Sequence, residues 1–241
     1  MIRVIFFYTV FALLLIPGVI AVIIPPVILR LLGKRSLADS YLKKLSRFYF
    51  GSLIKLTGSN LTVQGQENLP EGGGNICLVS NHQSYFDILI LEAATPFLVG
   101  FVAKKELTRV PIVNVWMKEL GCVPIDRSSP RSAVEAINKG VESIKSGKPI
   151  VLFPEGTRSR SQKMNRIKPG SLKLAIKAGA VIIPVTLNYS YKIYEENSKV
   201  TPADVSVVFH KGIDTKLEEN GDSYSLAEKL QKIIESALIS D

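Results

Sequence analysis

The chain has 241 residues, 46% of them hydrophobic and 21% charged, with a formal net charge of +9. That length suits one domain, or one with an appendage. The apolar content excludes a disordered chain, 17 Gly and 13 Pro exclude collagen-like or low-complexity classes, and two cysteines exclude a disulfide scaffold or multi-cysteine zinc site. A mean hydropathy of +0.22 beside a basic balance points to a membrane surface before nucleic acid. The charge is uneven: residues 1–60 carry +7 and 104–177 carry +10, whereas 61–103 and 178–241 carry −4 each.

The first element is an uncharged run of 26 residues, Val4 to Leu29, between Arg3 and Arg30. As one helix it reaches about 39 Å, enough to cross a hydrocarbon layer of about 30 Å. Pro17-Gly18 interrupts it and Pro25-Pro26 is expected to end it, so both a kinked span and a re-entrant hairpin fit. A secretory leader shares the Arg3-plus-apolar pattern, but no A-x-A site follows, and the segment reads as a retained anchor. Residues 30–55 then set Arg30, Lys34, Arg35, Lys43, Lys44, Arg47 and Lys55 against a single acid, Asp39. Leu37, Tyr41, Leu42, Leu45, Phe48, Tyr49 and Ile54 interleave at helical spacing, the pattern of a basic amphipathic helix on an anionic leaflet. A domain helix with a solvated charged face is the alternative. Residues 1–58 are therefore expected to anchor the chain at a membrane, with these cations on the cytoplasmic side, and 59–241 to form an α/β domain.

Within that domain the expected strands are Leu61–Gln66, Ile76–Ser80, Phe97–Ala103, Cys122–Asp126, Pro149–Phe153, Val181–Asn188 and Val205–His210. A helix opens at Ser129-Pro130, with Ala133, Val134, Ile137, Val141 and Ile144 as its apolar stripe, and Gly147 stops it. A last helix is expected over about Ser223 to Ile239. Strand–helix alternation predicts a mixed, largely parallel sheet flanked by helices. Glu71-Gly72-Gly73-Gly74-Asn75 lacks the spacing of a dinucleotide fingerprint, and no nucleophile elbow, metalloprotease helix or phosphate-binding P-loop is present. No metal-ligand spacing is seen.

In open α/β sheets ligands collect beyond the carboxyl ends of the strands. His82 and Asp87 follow the strand Ile76–Ser80. With His82 on the turn and Asp87 in the first helical turn, the carboxylate can fold back onto the imidazole, fix its tautomer and leave the other nitrogen to take a proton. Ser84-x-x-Asp87 also reads as a capping box. Three further strand ends deliver cations: Lys104-Lys105, Arg127 and Arg158, the last in a turn made by Pro154 and Gly156. Cys77 and Cys122 lie on apolar strands and read as packed thiols.

Asn81-His82-Gln83-Ser84-x-x-Asp87, Ile125-Asp126-Arg127, Phe153-Pro154-Glu155-Gly156-Thr157-Arg158-Ser159 and Val181-Ile182-Ile183-Pro184-Val185 resemble the four ordered blocks of the glycerolipid acyltransferases. The wording of the third block is most similar to the bacterial 1-acylglycerol-3-phosphate (lysophosphatidic acid) acyltransferases. The resemblance implies that His82 is the general base on the free hydroxyl of a lysophospholipid, oriented by Asp87, and that an acyl thioester of coenzyme A or acyl-carrier protein is the co-substrate, with no other cofactor. It further implies that Arg127 and Arg158 hold the phosphate and that Glu155 and Gly156 line the glycerol site; Lys104 and Thr157 are expected among the substrate-binding residues. The product would be phosphatidic acid, made at the cytoplasmic face of a bacterial inner membrane with membrane lipids as partners and no nucleic acid. Pro184 reads as structural or acyl-facing. Cys122-Val123-Pro124 departs mildly from the usual second block.

Arg160 to Lys168 is expected to be a mobile basic loop beside the site, in reach of lipid headgroups, coenzyme A phosphates or an acidic carrier; a plain solvated loop is the alternative. A related enzyme acting on another lysophospholipid or lyso-aminolipid shares most of these features. A non-catalytic anionic-lipid-binding protein shares the charge but has no use for a His–Asp pair.

Overall fold

The computed structural model describes residues 18–126, 128–217 and 222–239. Its strands are β1 (Asn60–Gln64), β2 (Ile76–Ser80), β3 (Gly100–Lys104), β4 (Val123–Ile125), β5 (Ile150–Leu152), β6 (Val181–Asn188), β7 (Asp204–Phe209) and β8 (Ile213–Asp214). They form one sheet in the order β1-β7-β6-β2-β5-β3-β4, with β8 beside β6. The pairs from β6 through β2, β5 and β3 to β4 are parallel, whereas β7 and β8 run antiparallel to β6. All five β2 residues are buried. Successive side chains leave opposite faces of a strand, so Ile76 and Leu78 enter one core while Cys77 and Val79 enter the other.

Helices cover both faces. α2 (Arg35–Leu56), α3 (Asp87–Ala94) and α4 (Pro111–Glu119) close the first core with Leu42, Phe50, Leu53, Leu91 and Trp116. α5 (Pro130–Lys145), α6 (Lys173–Ala178) and α7 (Ser223–Glu235) close the second with Ile144, Leu174, Ala175, Leu230 and Ile234. This is the mixed α/β fold with a largely parallel sheet that the alternation predicts. The α5 start is as expected, with Ser129 Oγ accepting the Ser132 N–H. Several expected elements are shorter, and β3 and α7 show why. β3 begins only at Gly100, where pairing with Ile150 starts, and a Cβ there would sit 2.5 Å from the Gly121 carbonyl oxygen. α7 stops at Glu235, and Ile239 N–H instead donates to Asn188 Oδ1 at 3.0 Å.

The amino-terminal expectations need correction. Residues 18–31 are helical (α1), and Pro25-Pro26 does not end the helix. Pro25 has no N–H to offer the carbonyl four residues back, that of Ala21. The Tyr41 hydroxyl from α2 donates to that oxygen at 3.1 Å and supplies the partner that Pro25 lacks. Among the described residues no helix is long and apolar enough to cross a membrane; the earlier part of the expected span, including Pro17, lies outside them. α1 nevertheless leaves Ile20, Ile24, Val27, Ile28 and Leu31 exposed.

α2 is amphipathic, but its apolar side packs on α3 and the sheet through Leu42, Tyr49, Phe50, Leu53 and Ile54. Lys43, expected on the leaflet-facing side, is instead buried, donating to the Glu92 carbonyl at 2.7 Å and the Glu92 carboxylate at 3.2 Å. Glu92 also accepts from Ser46 Oγ and Val99 N–H. Burial is the larger influence on both partners, lowering the Lys43 ammonium and raising the Glu92 carboxyl from their ordinary values. Lys34, Arg35, Lys44, Arg47 and Lys55 remain exposed, as do Leu37 and Phe48.

Candidate active site

The carboxyl ends of β2 and β5 lie side by side, and their following turns interlock. His82 N–H donates to Glu155 Oε1 at 2.6 Å, and Ser159 N–H donates to the His82 carbonyl at 2.7 Å. The backbone of His82 is thus held on both sides by the turn after β5. Its imidazole lies face to face with Phe153, centroids 4.0 Å apart at 17°, and Phe101 continues the stack behind Phe153.

Asp87, fully buried at the start of α3, folds back as its spacing predicts, with Oδ2 2.7 Å from His82 Nδ1. An ionised carboxylate only accepts, so Nδ1 carries the proton and Nε2 presents its lone pair. Nε2 has no hydrogen-bond partner among the described residues, and the side chain is 18% exposed. The same Oδ2 accepts the N–H groups of Gln83 and Ser84 at 2.7 and 3.0 Å. Capping and imidazole orientation are therefore one arrangement; the Ser84 hydroxyl accepts the Phe86 N–H at 3.0 Å and donates to Glu195 at 2.6 Å.

Ser190, just after β6, donates its hydroxyl to Asp87 Oδ1, and its N–H goes to Gln83 Oε1 at 3.1 Å. Gln83 continues to Gln162, and Gln162 to Asn188, all buried. A polar chain thus runs from the carboxylate to the carboxyl-terminal segment, with its side-chain groups paired, so it fixes geometry. Glu195 is a second contributor from the same connection, on Arg158 at 2.7 Å. Nothing local marks Ser190 or Glu195 in the sequence; their only signal is that they follow a strand end.

The remaining expected residues divide. Glu155 is 1% exposed, and its carboxylate faces the backbone, with Oε2 accepting Asn165 N–H at 2.8 Å. Burial pushes this carboxyl above its ordinary value, and the N–H groups of His82 and Asn165 oppose the shift without cancelling it. Gly156 has φ +77°, in the left-handed region that favours glycine, and a Cβ there would lie 2.8 Å from Lys168 Nζ. Thr157 is exposed. The Arg158 guanidinium lies 3.4 Å from the centre of the Tyr85 ring, beside the loop that carries His82. Lys104 sits exposed at the end of β3, opposite Ile125. Arg127 lies outside the described residues.

The segment from Arg160 to Lys168 is anchored, contrary to its expectation as a mobile loop. Met164 and Ile167 are in the core, Gln162 joins the buried polar chain, and Ile167 N–H donates to Gln231 at 2.9 Å. The charge pattern there is real but confined to the outer side: Arg160, Lys163, Arg166 and Lys168 are exposed. Both thiols are inert by environment, since burial pushes each up to about 12.

The acyltransferase family profile matches residues 60–188, which run from β1 to the end of β6. The chain is 32% identical over 206 residues to a chloroplastic 1-acyl-sn-glycerol-3-phosphate acyltransferase of Brassica napus, covering 83% of this chain and 59% of that protein. It is 34% identical over 160 residues to the 1-acyl-sn-glycerol-3-phosphate acyltransferase of Borreliella burgdorferi, covering 66% of this chain and 59% of that one. It therefore spans 59% of the length of either relative. The crystal structure of the 1-acyl-sn-glycerophosphate (LPA) acyltransferase PlsC from Thermotoga maritima superposes with a TM-score of 0.87 at 26% identity, covering 98% of this chain and 93% of that one.

Proposed function

Because the chain belongs to the acyltransferase family, we propose that it transfers a fatty acyl chain to the free hydroxyl of 1-acylglycerol-3-phosphate, forming phosphatidic acid. The observation that carries this reading is the His82–Asp87 pair, 2.7 Å apart at the carboxyl end of β2, with Nε2 unpartnered among the described residues. The names of the relatives and of the similar solved structure support the choice of acceptor.

In this mechanism Nε2 takes the hydroxyl proton as the oxygen attacks the acyl thioester carbonyl. Asp87 stabilises the imidazolium that forms, and the tetrahedral intermediate collapses with loss of the thiolate, which receives the proton from Nε2. General-base help of this kind is worth about 10²–10⁴ in rate. Arg158, Lys104 and Arg127 bind the acceptor phosphate, and the donor is acyl-CoA or acyl-carrier protein. Glu155 acts on the substrate only through the backbone of His82.

The protein meets its lipid at an anionic leaflet, lying along it through the exposed apolar residues of α1 with Leu37 and Phe48 of α2. The exposed cations Arg35, Lys44 and Arg47 add about 1 kcal/mol each near such a surface. Purified protein supplied with lysophosphatidate and acyl-CoA should release phosphatidate and free thiol in equal amounts. His82→Ala should lower that rate at least about a hundredfold. An undiminished rate refutes the mechanism.

A further inference from the structure

Glu195 lies in the connection between β6 and β7, outside all four sequence blocks, and is nearly as buried as a core residue, with a side chain 3% exposed. Three donors hold its carboxylate. Oε1 accepts from Arg158 Nη1 at 2.7 Å and from Tyr85 N–H at 2.8 Å, and Oε2 accepts the Ser84 hydroxyl at 2.6 Å. Two of those donors belong to the loop that carries His82. Glu195 therefore ties the turn after β5 to the turn after β2 at a point separate from the Glu155 clamp.

Arg158 is constrained in two ways. The Tyr85 ring lies 3.4 Å from its central carbon and restricts the guanidinium from one side, while the bond to Glu195 fixes its direction. A guanidinium has five N–H groups. Glu195 takes one, and no other residue among those described bonds the rest, so a free donor edge remains for a ligand. The pair is formally neutral, so Glu195 does not add attraction for an anion. What it adds is aim, which a flexible side chain otherwise loses in rotamer entropy when it binds.

We propose that Glu195 is a positioning residue for phosphate recognition, a buried carboxylate that holds the free edge of Arg158 toward the phosphate of the acceptor. The inference rests on the reading of Arg158 as a phosphate ligand. Glu195→Gln preserves most of the geometry: the amide oxygen still accepts from Arg158 and Tyr85 N–H, and its NH2 donates to the Ser84 hydroxyl, which rotates to accept. Glu195→Ala removes the arrangement.

The test compares the purified wild type with Glu195→Ala, Glu195→Gln, Arg158→Ala and the double alanine variant, measuring KM for lysophosphatidate and for acyl-CoA separately. KM does not depend on the fraction of protein that is folded, so partial unfolding does not mimic the effect. Losing a hydrogen bond to a charged group corresponds to about tenfold or more in affinity. Glu195→Ala should raise the lysophosphatidate KM by about that factor, with the acyl-CoA KM unchanged and Glu195→Gln close to wild type. The double variant should match Arg158→Ala alone. If Arg158→Ala leaves the lysophosphatidate KM unchanged, the phosphate reading itself fails. If Arg158→Ala raises it but Glu195→Ala does not, or if the two effects multiply in the double variant, the positioning role of Glu195 is overturned and the reading of Arg158 stands. An equal rise in both KM values marks a merely structural role and also overturns the proposal.

Discussion

Glu155→Gln is the sharpest available probe of how the site is held. The wild-type carboxylate presents one oxygen to each of two backbone donors, His82 N–H at 2.6 Å and Asn165 N–H at 2.8 Å. Glutamine is nearly isosteric but has only one oxygen, so its NH2 must face a donor. One hydrogen bond to a charged group is lost, worth about 1.5–3 kcal/mol, and a buried N–H is left without an acceptor. Removing a buried charge gives part of this back, because burial already opposes ionisation of Glu155. The net is about 2 kcal/mol of lost stability, which for a chain of this size lowers Tm by roughly 4–8 °C. Urea unfolding should show a lower midpoint at an unchanged slope, and kcat should fall while the lysophosphatidate KM holds.

A pH series adds a second check on the same variant. With its pKa raised on folding, Glu155 contributes stability that is fully present below about 4.5, its unfolded value. That contribution is lost as pH rises through the folded value. The advantage of wild type over Glu155→Gln should therefore shrink as pH rises from 4.5. Stability within about 0.5 kcal/mol of wild type, together with a raised lysophosphatidate KM, refutes the clamp and returns Glu155 to the glycerol site.

Ser190→Ala removes the hydroxyl donated to Asp87 Oδ1; kcat should drop about tenfold with both KM values unchanged, as steady-state kinetics will show. His210 donates to Thr186 Oγ1, because the single Thr186 hydroxyl proton is given to the Ile234 carbonyl. Burial lowers the His210 imidazole below 6.5, so the unfolded chain binds the proton more readily. Stability from this group should fall as pH drops below about 6.5, and His210→Gln should flatten that part of the unfolding-midpoint profile.

The central strands are legible from sequence because each is a short apolar run covered on both faces, and Ile76–Ser80 and Val181–Asn188 coincide with β2 and β6. The approach of Asp87 to His82 is legible because both residues lie within one turn. What escapes is whatever depends on partners far along the chain. Pro25-Pro26 reads as a stop, since only the fold brings the Tyr41 hydroxyl to the orphaned Ala21 carbonyl. Lys43 reads as a surface cation until α3 supplies Glu92. Glu155 is placed near the site by its turn, but two backbone donors set the direction of its carboxylate. Ser190 and Glu195 stand more than a hundred residues from the loop they support, and no periodicity or motif marks them. Between Arg160 and Lys168 the charges obscure Gln162, Met164 and Ile167, which do the anchoring.

The stacked rings of Phe101, Phe153 and His82 make the site observable without a label. The chain has only two histidines, and among the described residues only the His82 ring lies flat against an aromatic face, 4.0 Å from Phe153. Ring-current shielding should therefore displace its imidazole proton resonances upfield of those of His210. A one-dimensional proton spectrum then reports whether the His82 pocket is intact in any variant, before a substrate is added.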